Sequence, residues 1–180
     1  VEDLTINLGN RKWEGIDLAF NWAADWAAGT WTTNVIGTYA MTKETTPLPA
    51  SADSTYDCVG FASDRCFPSP KWRHTASVDY DSNEWWSVGL RWRYFQGVDY
   101  DGSTDQIAQD ELSSAQNYID LNAVFRFMEN HDIVLGVNNI FDKEPPMVGG
   151  TLTTNANTYA GFYDTLGRYL FAQATRSEER

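Results

Sequence analysis

The chain lacks any apolar run near the 18 or so residues of a membrane-spanning helix. Its mean hydropathy is only −0.46. A helical membrane protein is thereby excluded, but a barrel is not, because barrel strands alternate faces and average to a low hydropathy. Positive charge is scarce: 13 Lys and Arg stand against 25 Asp and Glu, a net charge of −12. Nothing in that balance would neutralise a phosphate backbone, so nucleic acid is excluded as a partner. The surplus acid suits extended, solvated loops. His74 and His131 are the only histidines, and Cys58 and Cys66 the only cysteines. Neither cysteine has a paired base, and no nucleophile elbow or phosphate loop is present, so no enzyme is expected and no cofactor is implied. No N-terminal targeting segment is visible and the first residue is Val1 rather than Met. A processed chain or a piece of a longer polypeptide is the expectation.

Aromatic residues are abundant, with 8 Trp, 9 Tyr and 9 Phe among 180 residues. That richness argues against disorder, and the length suits one domain with a sizeable core. Cys58 and Cys66 have seven residues between them in a Gly/Ser/Asp-rich stretch. A local loop disulfide is expected, against two free thiols in a reducing compartment. A metal site is not expected, since two thiolates lack nearby partners and His74 falls in a predicted strand. The stretch Asp99-Tyr100-Asp101-Gly102-Ser103-Thr104-Asp105 has the acidity of a calcium loop. Its glycine is misplaced for an EF-hand, so it reads as a solvated acidic loop.

Seven segments alternate with period two, which predicts strands. Residues 13–22 set Ile16, Leu18, Phe20 and Trp22 against Asp17, Ala19 and Asn21. Residues 31–41 set Trp31, Val35, Tyr39 and Met41 against Thr32, Asn34 and Thr38. Residues 72–80 set Trp72, His74, Ala76, Val78 and Tyr80 against Arg73, Thr75, Ser77 and Asp79. Residues 85–98 set Trp86, Val88, Leu90, Trp92 and Tyr94 against Arg91 and Arg93. Residues 118–127 set Ile119, Leu121, Ala123, Phe125 and Phe127 against Asp120, Asn122 and Arg126. Residues 133–141 form the sixth, and residues 167–176, alternating less clearly, the seventh.

Each apolar face could instead coat a soluble sandwich core. Two features favour the membrane. Connections alternate between short (23–29, 81–84, 128–131) and long, polar ones (43–71, 99–115, 143–165). Outer-membrane barrels have short periplasmic turns and long external loops. Aromatics also bracket the short turns: Trp22, Trp26 and Trp31, then Tyr80, Trp85 and Trp86, then Phe125 and Phe127. Amphipathic rings collect at lipid–water interfaces. On this reading Asp17, Arg73, Asp79, Arg91, Arg93, Asp120 and Arg126 lie opposite the lipid face and point to a wet or plugged lumen, where mixed signs can pair across strands.

Five motifs arrive in one order. They are Gly15-Ile16-Asp17-Leu18, Pro70-Lys71-Trp72-Arg73-His74-Thr75-Ala76-Ser77, Leu90-Arg91-Trp92-Arg93-Tyr94-Phe95, the stretch from Gly136 to Pro146, and Tyr163-Asp164-Thr165-Leu166-Gly167-Arg168-Tyr169-Leu170. The fourth is the most specific. Its Gly136, Asn138, Asn139, Phe141, Asp142, Pro145 and Pro146 make a strand that stops abruptly. Pro145 and Pro146 lack backbone donors and would halt a ladder at the rim. Asn139 and Asp142 can cap backbone groups there. Gly167 permits an unusual backbone angle before Arg168 and the last strand. From about Asn10 to about Thr175 the chain resembles the C-terminal part of the β-barrel of TonB-dependent outer-membrane receptors.

That resemblance implies an antiparallel transmembrane barrel of about 22 strands with a plugged lumen. It also implies energised uptake of a scarce nutrient, such as a siderophore, cobalamin or a glycan. The acidic loops argue against a strongly anionic ligand. Implied partners are outer-membrane lipid and lipopolysaccharide, the nutrient, and the TonB complex through an N-terminal part not present in this chain. Residues 1–180 would then be the C-terminal portion of such a barrel, with seven or eight strands and no plug. Residues 1–8 could be the stub of an eighth strand. The chain ends Arg176-Ser177-Glu178-Glu179-Arg180, where the family usually ends in an aromatic residue. Two other readings are a complete eight-stranded barrel with a structural or adhesive role, and a soluble, aromatic-rich sugar-binding sandwich.

Overall fold

A computed structural model describes residues 9–26, 28–47, 54–101, 106–127, 130–148 and 157–176. Seven long strands carry the architecture: β1 (Asn10–Trp26), β2 (Gly29–Thr46), β5 (Trp72–Asp81), β6 (Trp86–Phe95), β8 (Gln116–Phe127), β9 (His131–Asn138) and β10 (Tyr169–Arg176). Three short strands, β3 (Tyr56–Asp57), β4 (Phe61–Ala62) and β7 (Asp99–Tyr100), and one helix, α1 (Gln106–Ser113), lie in the long connections. The long strands form an antiparallel meander in the order β1-β2-β5-β6-β8-β9-β10, and β3 adds to β2. The sheet is open: β1 and β10 are its two edges. It is a partial β-barrel.

Register decides which residues share a face, because directly paired residues point the same way. Across the middle of the sheet, Phe20 pairs with Val35 and Val35 with Ala76. Ala76 pairs with Trp92, Trp92 with Ile119, Leu121 with Val137 and Val137 with Leu170. The apolar residues of all seven strands therefore merge into one surface. It is open: Leu18 is 54% exposed, Phe20 55% and Leu90 45%. A sandwich would place a second sheet about 10 Å above such a face. No described element covers it, and that removes the sandwich reading.

Aromatic rings close this apolar band at both ends. At the turn end, Trp31 packs on Trp26 and Tyr80, and Tyr80 on Trp86. At the loop end, His74 lies among Trp72, Trp92 and Tyr94. The indole N–H of Trp72 donates to His74 Nδ1 at 2.9 Å, and that of Trp92 to Asn117 Oδ1 at 3.0 Å. From Trp72 to Tyr80 the strand runs about 26 Å at ~3.3 Å per residue, which the usual barrel tilt of about 40° turns into roughly 20 Å of height. The apolar band of an outer-membrane barrel is about 25 Å tall, with rings at both edges.

The short turns are tighter than their sequence suggests. Trp26 pairs with Gly29, so the ladder runs through Ala23, Ala24 and Asp25, which alternation had placed in a turn. Ala28 absorbs the reversal at φ 60°. In the next turn Ser82 donates through its hydroxyl to the Trp86 carbonyl at 2.6 Å, and Asn83 takes φ 59°. The strand expected over 85–98 stops at Phe95. Beyond it the Gln96 N–H donates to the Trp72 carbonyl, and Val98 turns inward and is buried. The expected stub at residues 1–8 lies outside the described residues, as do 102–105 of the acidic stretch.

Among the described residues the cluster of buried hydrophobic side chains is not on the seven-stranded wall. It consists of Ala62, Val98, Leu112, Val148, Tyr159 and Tyr163, contributed mainly by the three long connections. These connections are folded rather than merely solvated. β4 and β7 pair in parallel, and Val98 donates its N–H to Leu112 at the end of α1. Cys58 and Cys66 form the expected disulfide, with Cα atoms 5.4 Å apart. Closing so short a loop contributes about 2–3 kcal/mol in the chain-entropy view. The three connections thus make one cap over the loop end.

Replacing Leu90 by Arg puts a charge in the middle of the apolar band. In phospholipid vesicles we expect denaturant unfolding to show a loss of about 2–4 kcal/mol. Ser77→Asp, on the opposite face beside Arg91, is expected to stay within about 0.5 kcal/mol of the parent.

Candidate functional site

The abrupt end of β9 is built from its own residues. Asn139 takes φ 51° and is fully buried. Its N–H donates to Asp120 Oδ1 at 2.9 Å, its side-chain amide donates to the Lys143 carbonyl, and its Oδ1 accepts from the Lys143 N–H. The ladder therefore stops at Asn138, not at Phe141, and Pro145 and Pro146 follow only later. This corrects the expectation that the proline pair halts the strand. A left-handed asparagine locked by these three hydrogen bonds does so first.

The same turn sets the start of the last strand. Asp142, at φ 54°, accepts through Oδ1 from the Arg168 N–H at 2.7 Å. Gly167, at φ 67°, lies so close that a Cβ would sit 2.8 Å from Asp142 Oδ1. Glycine is needed there for both angle and space. Arg168 and Asp142 also approach at 3.9 Å, though both are exposed. Gly136 is small because the Phe171 ring of β10 lies across it. Asn138 pairs with Tyr169. Phe141 points away and is 75% exposed.

The charged candidates all fall on the polar face by register. Asp17 pairs with Thr38, and Thr38 with Arg73. Asp79 pairs with Gly89, and Arg91 lies between Ser77 and Asp120. Arg93 and Asp120 are brought together directly: Arg93 Nε and one terminal nitrogen each donate to the carboxylate at 2.9 Å. The same guanidinium reaches Asp164 of the third long connection at 3.1 Å. Its plane also lies 5.0 Å from the Tyr118 ring. Arg126 pairs with Asp81 near the turn end at 2.6 Å. Asp17 accepts from the Thr38 hydroxyl at 2.8 Å. Arg73, Asp79 and Arg91 form no ion pair among the described residues.

Sequence reasoning missed a groove at the loop end of the polar face. Its cavity of about 420 Å³ is lined by residues including Trp13, Asp17, Lys43, Ser69, Arg73 and Phe162. A β-bulge makes it. Glu14 pairs with Thr42 but Gly15 with Ala40, leaving Met41 extra on β2. One extra residue reverses the alternation of β2 beyond it, so Lys43 joins its partner Trp13, which β1's own alternation already sets on the face of Asp17. Lys43 Nζ donates to the Ser69 hydroxyl at 2.6 Å and stands 5.8 Å from the Trp13 ring. Strict alternation carries no sign of the bulge.

The cap has its own titration behaviour. Burial pushes the Tyr159 phenol up to about 12, and Tyr163 is raised as well, again chiefly by burial. A raised phenol keeps its full stabilisation below the ordinary tyrosine pKa of about 10 and loses it as pH climbs toward the folded value. Between about pH 10 and 12 the cap should therefore open. Tyrosinate absorbance should show Tyr159 and Tyr163 titrating late, with protease cleavage of the long connections rising over the same window. On the wall, Asp120→Ala removes both Arg93 bonds and strips the buried Asn139 N–H of its acceptor. We expect a loss of about 3 kcal/mol in denaturant unfolding. Arg126→Ala, breaking a more exposed pair, should cost about 0.5–1 kcal/mol.

The sheet, its two faces and its locked strand ends have a counterpart among known proteins. A family model described as TonB dependent receptor-like, beta-barrel, matches residues 2–140. No curated protein and no solved structure matches the chain. The match takes in β1 to β9 and ends inside the stretch from Gly136 to Pro146, leaving Gly167 and Arg168 beyond it. The family's proteins reside in the bacterial outer membrane and are transporters rather than enzymes. With more than half its length matched and an open antiparallel sheet of barrel strands, this chain belongs to the TonB-dependent receptor β-barrel family of the bacterial outer membrane.

Proposed function

We propose that residues 1–180 form the C-terminal portion of a TonB-dependent receptor barrel that takes up a scarce nutrient across the outer membrane. A plug would be supplied by a preceding part of the polypeptide. The observation that carries this is the pairing of one continuous apolar band with an opposite face holding Arg93, Asp120 and Arg126. A charge at the bilayer midplane costs several kcal/mol, so only a water-filled or plugged interior suits that face. Among the described residues neither β1 nor β10 has a second partner, and lipid leaves no backbone group unpaired, so further strands would complete the wall. A closed eight-stranded barrel would instead need those two edges to join.

The loop cap would meet the nutrient, which could be a ferric siderophore, cobalamin or a glycan, and the lumen face would pass it inward. TonB would act through the plug-side part. Lipid and, in the outer leaflet, lipopolysaccharide would surround the apolar band. A chain of net charge −12 has no use for nucleic acid.

The test is growth of cells with and without this protein, in TonB-competent and TonB-deficient backgrounds, under iron, cobalamin or glycan limitation. We expect growth on one of these nutrients to require the protein and to be lost without TonB. Protein-dependent growth that persists without TonB would overturn the transport reading, as would recovery of the protein in the soluble fraction.

A further inference from the structure

We propose that the groove behind the β-bulge binds an anionic ligand with a flat apolar part, of the class of aromatic carboxylates and phenolates. This rests on the transport reading in taking the polar face as the lumen, but the binding itself needs neither TonB nor energy.

Three observations meet here. First, the groove is of small-molecule size: about 420 Å³ falls within the range of about 300–1,000 Å³ usual for such sites. Second, it gathers cations without neutralising them. Lys43 lies close enough to Arg73 and Arg11 to be repelled by both. Its hydrogen-bond partner, Ser69, is neutral. Neither Lys43 nor Arg73 has an ion-pair partner among the described residues. Of the acids on the same walls, Glu14 pairs with Lys12 at 3.1 Å, and Asp17, held by the Thr38 hydroxyl, forms no ion pair with either cation among the described residues. In a chain with a twofold excess of acid, two uncompensated cations side by side repel each other until an anion arrives.

Third, aromatic walls flank the cations. Trp13 is 68% exposed on one side, and Phe162 lines the groove from the cap. An exposed indole over a cation presents a face on which a planar ligand can stack while its charge meets Lys43 and Arg73. The bulge at Met41 is what turns Lys43 to the side of the wall where Trp13 and Asp17 already lie. Bulges commonly re-aim side chains in this way. The net charge of the chain thus misleads about its ligand, since the local field decides what enters a cleft.

The experiment measures equilibrium binding of three probes of one shape to the intact protein in neutral detergent at low salt. The probes are 2-naphthoate, 2-naphthamide and 2-naphthylmethylammonium. We expect naphthoate to bind best and the ammonium probe worst, with added salt weakening the naphthoate. Lys43→Gln and Arg73→Gln should each weaken naphthoate roughly tenfold, the size of one charge-assisted hydrogen bond. Lys43→Arg should restore most of it, which separates lost charge from lost folding. Equal binding of all three probes, no binding of naphthoate, or unchanged binding in both Gln variants would overturn the proposal. None of these outcomes bears on TonB-dependent growth, and loss of that growth phenotype would leave the probe result standing.

Discussion

Backbone hydrogen bonding under exclusion of water is the constraint on which everything else here depends. Hydrocarbon offers no partner to an N–H or a carbonyl, so each strand must satisfy its neighbours along its whole buried length. The long antiparallel ladders, with 12 consecutive pairs between β1 and β2 from Gly15 to Trp26, answer that demand. Once pairing is compulsory, register follows from the faces. A one-residue slip would carry Arg93 and Asp120 to the apolar face and Trp92 and Leu121 to the polar one. The interruptions therefore sit beyond the apolar band: the bulge at Met41 lies outside Tyr39, and Asn139 outside Val137.

Stability and function separate along the strand axis. Among the described residues the wall carries no buried hydrophobic cluster of its own and relies on its ladders. The cap is packed like a small globular unit around Tyr159, Tyr163, Leu112 and Val148, with the disulfide closing one connection. Arg93 joins the two, holding Asp120 on the wall and Asp164 in the third connection. Asp120 in turn receives the N–H of Asn139, so the end of β9, the cap and the polar face share one carboxylate. Disturbing that carboxylate reaches further than disturbing the isolated pair of Arg126 and Asp81.

Much of this was legible beforehand because period two is a local property. Ile16, Leu18, Phe20 and Trp22 announce their face without knowing their partners, and so do Trp72, His74, Ala76 and Val78. The alternating lengths of the connections, and the aromatics beside the short ones, add the bilayer. Asn139, Asp142 and Gly167 could be singled out from their chemistry, though not the way they interlock. The proline pair misled, because a missing donor matters only where the ladder still runs, and Asn139 had already ended it.

The sequence alone determined the strands, their two faces and the kind of solvent each face requires, since those depend on residue type and spacing within one segment. Tertiary structure alone decided the rest. The core within the long connections needed residues as distant as Ala62 and Tyr159 to meet. Asp164 could not be matched to Arg93, 71 positions away, from spacing. The groove needed a bulge that exists only as a mismatch between two strands. Trp13 shares the face of Asp17 by the alternation of its own strand, but only the bulged pairing of β2 with β1 turns Lys43 toward the same space.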